Sequence, residues 1–160
     1  AELIGFTRVG DDQAAGGLED IAKYDGIVII MGDELSDQAE DFGREAGLFV
    51  YLGDQQSPAA SNAHFVFPLT TFAEQEGSFT NIARRVQRFS PALEPSGMAR
   101  PGWLILGALA AELNNGDAPR TAAEAFSGLA SQIEAFAGLT YQDIGIRGAV
   151  VNEAYVLSEI

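Results

Sequence analysis

The stretch that most restricts the fold is a pair of short apolar runs joined by a helix-patterned link. Gly26-Ile27-Val28-Ile29-Ile30-Met31 is continuous, β-branched and apolar at every position, the pattern of a parallel strand covered on both faces. Leu48-Phe49-Val50-Tyr51-Leu52 repeats it. Between them Leu35, Ala39, Phe42 and Ala46 recur at helical spacing, Ser36 suits a helix N-cap, and Gly47 suits a left-handed C-cap. Strand, helix and strand with short turns predict a right-handed βαβ unit. A helical turn over 57–62 then leads to a third strand, Phe65-Val66-Phe67, stopped by Pro68, which has no amide to donate. Residues 18–67 therefore read as part of an open parallel α/β sheet.

The next stretch changes character. Ser78-Phe79-Thr80 and Val86-Gln87-Arg88-Phe89 are short β-like runs separated by a polar loop, predicting a hairpin-like extension. Pro91, Pro95, Gly97, Pro101 and Gly102 mark an irregular connector. Trp103, Leu106, Ala110 and Leu113 predict a helix that stops at Asn114-Asn115-Gly116. Thr121-Ala122-Ala123-Glu124 is a capping box ahead of Phe126, Leu129, Ala130, Ile133 and Phe136. A short helical turn is expected over Tyr141–Ile144. The expected division is an α/β domain over 1–116 and a C-terminal helical appendage over 117–160. Leu3-Ile4-Gly5-Phe6-Thr7 is compatible with a strand, and Leu18, Ile21 and Ala22 suggest one or two helical turns.

Composition narrows the function more than the fold. A net charge of −14 argues against nucleic acid and anionic membrane surfaces as partners. With no cysteine among the 160 residues, disulfides, thiolate zinc sites and cysteine-held iron–sulfur clusters are excluded within them. No apolar run approaches the roughly 18 residues of a membrane span, so no direct membrane insertion is expected. The chain starts with Ala rather than Met and reads as a processed chain or a fragment.

Few residues carry an obvious chemistry. The turn after Ile30 is Met-Gly-Asp-Glu-Leu-Ser, neither of the phosphate-cradling glycine patterns. Asp33 and Glu34 stand where α/β folds place ligands, yet two carboxylates repel a phosphate, and a solvated turn explains them as well. His64 is the only histidine, which leaves no catalytic triad and no metal set, so a structural or surface role is expected. Glu74 and Glu76 have surroundings too polar to separate their pKa values for acid/base work. Arg84, Arg85 and Arg88 are able to hold an anion bidentately; in so acidic a chain, pairing with Glu or Asp is the expectation. No catalytic residue and no metal ligand is assigned.

In their order these motifs resemble the third domain of the molybdopterin oxidoreductase superfamily, which includes formate dehydrogenases and nitrate reductases. Gly32 matches the glycine of that family's Gly-x-Asn-Pro turn, with Glu34 and Leu35 in place of Asn-Pro. Ser57, Ala59, Ala60 and Ala63 fit the second motif, with Pro58 and His64 replacing its acids. Glu74, Glu76-Gly77-Ser78-Phe79-Thr80-Asn81 and Arg85-Val86-Gln87 fit the third, with Ala83-Arg84 in place of Glu-Gly. The resemblance implies Glu76, Gly77, Asn81, Arg85 and Gln87 as the cofactor-loop residues. Added negative charge at Glu34, and an arginine where a positive-φ glycine is usual, suggest a loop that has lost its ligand. By that reasoning the chain most resembles the C-terminal part of the large iron–sulfur subunit of NADH–quinone oxidoreductase (respiratory complex I). That resemblance implies a non-catalytic, cofactor-free scaffold domain whose parent carries iron–sulfur clusters between NADH and quinone. Its partners would be the rest of its own subunit and other peripheral-arm subunits. It would be cytoplasmic, peripheral to the cytoplasmic face of the inner membrane through the parent complex. The alternative is the pterin-binding half of a molybdenum or tungsten oxidoreductase such as a formate dehydrogenase, with molybdopterin as cofactor.

Overall fold

The computed structural model describes residues 21–32 and 40–151. The expected strand Leu3–Thr7, Leu18, the helix start at Leu35–Ala39, the carboxylates Asp33 and Glu34, and the last residues of the tail lie outside them. The chain divides into two compact units, 1–70 with 97–99, and 71–96 with 100–160. The hairpin and the helices of the C-terminal part fall in the second unit.

The first unit carries a three-stranded sheet, β1 (Ile27–Met31), β2 (Leu48–Gly53) and β3 (Phe65–Pro68), all parallel with β2 in the middle. The mixed α/β class and the parallel sheet are as the sequence predicts. Alternation then assigns the faces. Val28, Phe49 and Tyr51 point to one side and pack with Phe42, Ala46 and Ala60 into the core of this unit. Phe42 and Phe49 meet edge to face with ring centroids 6.0 Å apart. The described parts of both connections lie on this side, since Phe42 and Ala46 belong to the β1–β2 link and Ala60 to the 3-10 turn Pro58–Asn62 before β3. Asn62 ties the two links together, its amide donating to the carbonyls of Glu40 and Phe42 at 2.6 and 3.0 Å.

Three expectations for this unit are corrected. β1 is not covered on both faces: Val28 is 5% exposed, whereas Ile27, Ile29 and Met31 on the other side are 46–65% exposed. The described end of the predicted helix, 40–46, is a run of turns, with Arg44 and Ala46 amides bonded three residues back to Asp41 and Gly43. Gly43 adopts φ +71°, which an α-helix cannot continue through, and the Phe49 ring would sit 2.6 Å from any Cβ there. Gly47, the expected left-handed cap, is not among the positive-φ residues. Its small size serves a close backbone approach instead, since a Cβ would lie 2.8 Å from the Asp25 carbonyl oxygen.

The second unit is built on an antiparallel sheet, β4 (Gly77–Thr80), β5 (Arg85–Phe89) and β6 (Ala149–Val150), with β5 central. Three helices follow the hairpin: α1 (Gly102–Asn114), α2 (Ala122–Gln132) and α3 (Tyr141–Ile144). α1 ends as expected, with Asn115 in the left-handed region at φ 52° and its amide bonded to the Ala111 carbonyl. At α2 the Thr121 hydroxyl accepts from the Glu124 amide at 3.1 Å, and the Glu124 carboxylate accepts from the Arg120 amide at 2.6 Å. The cap is therefore reciprocal, but its second half reaches one residue further back than the capping-box pattern implies. Phe126 packs edge to face on Phe136 (6.1 Å) and against Tyr141 (5.9 Å), and with Val86, Ile144 and Val151 these side chains form the core of this unit.

Candidate functional site

The motif that carries the sequence resemblance is the β4–β5 hairpin. Its register pairs Gly77 with Phe89, Ser78 with Arg88, Phe79 with Gln87 and Thr80 with Val86. At the turn the Asn81 amide donates to the Arg85 carbonyl (3.0 Å), and the Asn81 side-chain oxygen accepts from the Arg85 amide (3.0 Å). Arg84 closes the turn at φ 56°, its amide donating to the Asn81 carbonyl at 2.8 Å. The arginine in the glycine position thus keeps the positive-φ turn instead of abolishing it. Its sequence therefore does not mark a collapsed loop. Gly77 is required for another reason: the Phe89 ring would lie 2.7 Å from a Cβ at residue 77. That fit lets Phe89 stack on Phe79, centroids 4.7 Å apart and planes 21° from parallel.

Residues from the C-terminal part of the chain hold the hairpin from its other face. The Arg88 guanidinium lies over the Tyr141 ring and bonds Glu76 Oε1 at 3.1 Å. The Tyr141 hydroxyl donates to the Gly77 carbonyl at 3.1 Å, and the Trp103 indole N–H donates to the Glu76 carbonyl at 3.1 Å. Arg85 gives a guanidinium nitrogen to the carbonyls of Arg147 (3.3 Å) and Gly148 (3.0 Å). β6 pairs along β5, and the Val151 amide donates to the Arg84 carbonyl at 3.0 Å. Gly148 has φ +72°, and a Cβ there would run into the Val86 carbonyl oxygen. Burial raises the Tyr141 phenol above its ordinary pKa; the Glu76 carboxylate adds to the shift and Arg88 opposes it. Upstream of β4, the Thr71 amide and hydroxyl and the Ser96 amide hold the Glu74 carboxyl below its usual value.

The five candidate residues separate into two groups. Glu76 and Arg85 spend polar atoms inside the protein, on Arg88 and on the 147–148 carbonyls. Gly77 gives the Phe89 ring its space. Asn81 and Gln87 are exposed, and Gln87 stands directly across from Phe79 in register and next but one to Phe89. The outer face of the hairpin thus offers an amide beside two stacked aromatic rings. That donor set suits a flat heterocycle with both donors and acceptors on its edge better than it suits acid/base chemistry. The three arginines also separate. Arg88 pairs with a carboxylate as expected, whereas Arg85 binds backbone carbonyls.

His64 is used structurally. Its Nδ1 accepts the Phe49 amide at 2.9 Å while its own amide donates to the Phe49 carbonyl at 2.8 Å. Among the described residues, no group of three or more His, Asp or Glu side chains is placed to hold a metal ion. None of their helices is long and apolar enough to cross a membrane. The sequence reading did not single out one feature of the first unit. A cavity of about 720 Å³ opens at the carboxyl ends of β2 and β3, lined by Tyr51, Gly53, Asp54, Ser57, Pro58 and Val66. Open α/β sheets bind ligands at this end of their strands. The available signal was Gly53-Asp54 directly after an apolar strand, with no glycine-rich fingerprint to flag it.

Comparison with known proteins bears on which of the two readings holds. The chain is 38% identical over 91 residues to the F420-dependent formate dehydrogenase 2 subunit alpha of Methanococcus maripaludis, covering 56% of this chain and 14% of that protein. It is 35% identical over 86 residues to the probable oxidoreductase YjgC of Bacillus subtilis, covering 54% of this chain and 9% of that one. It is 38% identical over 81 residues to the NADPH-Fe(3+) oxidoreductase subunit alpha of Geobacter sulfurreducens, covering 51% and 10%. The chain thus spans about a seventh or less of the length of these relatives. Their names favour the formate dehydrogenase reading over the preference for a complex I subunit drawn from Glu34 and Arg84. Residues 2–112, well over half of the chain, match a single family as a whole. The chain belongs to the molybdopterin oxidoreductase family.

Proposed function

We propose that this chain is part of the large subunit of a molybdopterin-dependent oxidoreductase of the formate dehydrogenase type, and that the β4–β5 hairpin forms one wall of its pterin site. The observation that carries this reading is the preserved turn. Arg84 takes the left-handed conformation and Asn81 closes it, so the loop keeps the shape a ligand-holding loop needs. Asn81 and Gln87 would supply hydrogen bonds to the cofactor, with Phe79 beside them. Glu76 and Arg85 would act behind them, through Arg88 and the 147–148 carbonyls, to fix the strand positions. When bound, the molybdopterin would supply the redox chemistry; this chain's part is to orient it. The partner this reading retains is the rest of the same subunit. The complex I neighbours and the peripheral attachment to a membrane belong to the scaffold alternative, which the relatives support less.

The test is metal and pterin analysis of the full-length protein from a host supplied with molybdenum and tungsten. Stoichiometric pterin with either metal is expected, and a Gln87→Ala variant should lose part of its pterin while staying folded. A full-length protein with neither metal nor pterin would return the scaffold reading.

A further inference from the structure

The segment that follows α3 meets β5 at its turn end. Its ladder pairs Val150 with Arg85 and Ala149 with Val86, the two residues of β5 closest to the turn. Val151 then reaches the turn itself, its amide donating to the Arg84 carbonyl at 3.0 Å. Arg84 closes the left-handed turn with its own amide, so its peptide groups are held from inside the hairpin and from outside it. A non-glycine residue persists in that conformation only where its surroundings over-determine it. Residues 145–151 supply one of those constraints.

The same residues are built as a strap between two anchors. Ile144 and Val151 are each 1% exposed, whereas Ile146 between them is 98% exposed and Arg147 is exposed as well. Gly145 and Gly148 take φ 51° and φ 72°, so the backbone bends at two positions that suit glycine. At Gly148 a Cβ would also meet the Val86 carbonyl oxygen. What fastens the middle of the strap is a two-residue strand and one guanidinium, that of Arg85 on the carbonyls of Arg147 and Gly148. Elements with so few backbone bonds and so much exposed surface open at low free energy.

We infer that residues 145–151 are a positioning strap for the hairpin turn, and that docking of the strap and retention of the pterin are coupled. This rests on the reading of the hairpin as a wall of the pterin site. With the strap docked, Arg84 is held left-handed and Asn81, on the same turn, is preset to face a ligand. With the strap released, Arg84 is freer to leave a costly conformation, and the turn loses its preset shape. Coupling of this kind is reciprocal. A cofactor held by the preset turn therefore also keeps the strap docked, although the strap lies behind the turn.

The test uses the full-length polypeptide with Gly148→Ala, which strains the strap and crowds the Val86 carbonyl. Gly138→Ala is the matched control, since Gly138 has φ 81° and open space where its Cβ would stand. Val151→Ala, which trims the buried anchor and keeps its amide, is the milder second variant should Gly148→Ala fail to fold. Pterin content is measured for each, with hydrogen exchange by mass spectrometry over 80–86 and 145–151. Wild type is also isolated from a host without pterin synthesis. Gly148→Ala is expected to exchange about tenfold faster in both segments and to lose about half of its pterin or more, with Gly138→Ala like wild type. Val151→Ala should move the same way by less. Pterin-free wild type should exchange faster over 145–151 than the loaded protein, a response that a merely structural brace does not give.

Fast exchange over 145–151 with unchanged exchange over 80–86 overturns the strap. So does full pterin in Gly148→Ala, an equal pterin loss in Gly138→Ala, or exchange over 145–151 that ignores pterin. In those cases the pterin reading stands, because wild type still carries the cofactor. Wild type without pterin from a pterin-making host overturns the reading of the site and the coupling together.

Discussion

The Arg88 guanidinium carbon lies 4.1 Å from the centroid of the Tyr141 ring, and the same guanidinium donates to the Tyr141 carbonyl at 3.3 Å. A residue in the middle of β5 is thereby fixed to the first residue of α3. Glu76, on the other side of Arg88, extends the contact to the start of β4, and the Tyr141 hydroxyl returns to the backbone at Gly77. The hairpin is therefore held by a closed ring of four contacts. Tyr141→Phe removes one O–H···O bond and keeps the ring, so a loss of about 1 kcal/mol is expected. Arg88→Ala removes the cation–π contact and a half-exposed ion pair, and about 1–2 kcal/mol is expected after allowing for solvent screening. Urea unfolding measures both. Faster amide exchange should concentrate at Gly77 and Ser78 in each variant, and uniform exchange across the hairpin would argue against the ring.

Arg84 provides a test with an unusual sign. A non-glycine residue in the left-handed region costs about 1–2 kcal/mol; glycine, having no Cβ, avoids this cost, and its larger loss of freedom on folding offsets part of the gain. Arg84→Gly is therefore expected to raise stability by about 0.5 kcal/mol, whereas Arg84→Ala, which keeps the Cβ, gains nothing. The two variants separate backbone strain from side-chain contacts. If alanine stabilises as much as glycine, the side chain and not the turn is the source.

The parts of this structure that were legible in the sequence are those set by local pattern. The apolar runs at 27–31, 48–52 and 65–67, the Ser57–Asn62 turn, the hairpin strands and the Thr121 cap all follow from side-chain period or from a hydroxyl at the right offset. What the sequence concealed depends on contacts between distant residues. An apolar run such as Ile27–Met31 records that a strand is suited to burial on both sides, and it cannot say which covering segments lie within reach. Gly43 and Gly47 are alike in sequence; the Phe49 ring and the Asp25 carbonyl decide which of them turns. β6 is not legible in the sequence because two residues, Ala149 and Val150, have no period, and their pairing is set by Gly148 and the Arg85 guanidinium. At the candidate site the loop was legible through its motif. The division of labour within it, with Glu76 and Arg85 bonded to other parts of the protein and Gln87 left exposed, was not.

Glu74 gives the chain a dependence on acid that is assignable to one side chain. Its carboxylate accepts from the Thr71 amide at 2.9 Å, the Thr71 hydroxyl at 3.0 Å and the Ser96 amide at 3.1 Å, all of which favour the charged form. The folded-state pKa is therefore lowered from 4.5. A depressed carboxyl contributes stability above its unfolded pKa and loses it as pH falls through the folded value. The Tm gap between wild type and Glu74→Gln should be widest near neutrality and close at low pH. The carboxyl carbon of Glu74, followed by NMR, should titrate below 4.5, the ordinary glutamate value. A gap that stays constant from neutral to strongly acid pH would mean that the charge of Glu74 is not what the three donors recognise.

His64 stands in for a missing strand partner. The Phe49 amide points away from β1 at a level where β3 has not yet begun, and the imidazole Nδ1 accepts it at 2.9 Å, which places the ring proton on Nε2. Phe49 is fully buried, so its amide has no water to turn to. His64→Leu keeps comparable bulk and leaves that donor unpaired, at an expected cost of about 1–3 kcal/mol. His64→Asn puts a carbonyl oxygen near the position of Nδ1 and should recover most of the loss. Hydrogen exchange at the Phe49 amide is the decisive readout: fast in His64→Leu, slow again in His64→Asn. Equal protection in all three proteins would show that the histidine is only a surface residue beside β2.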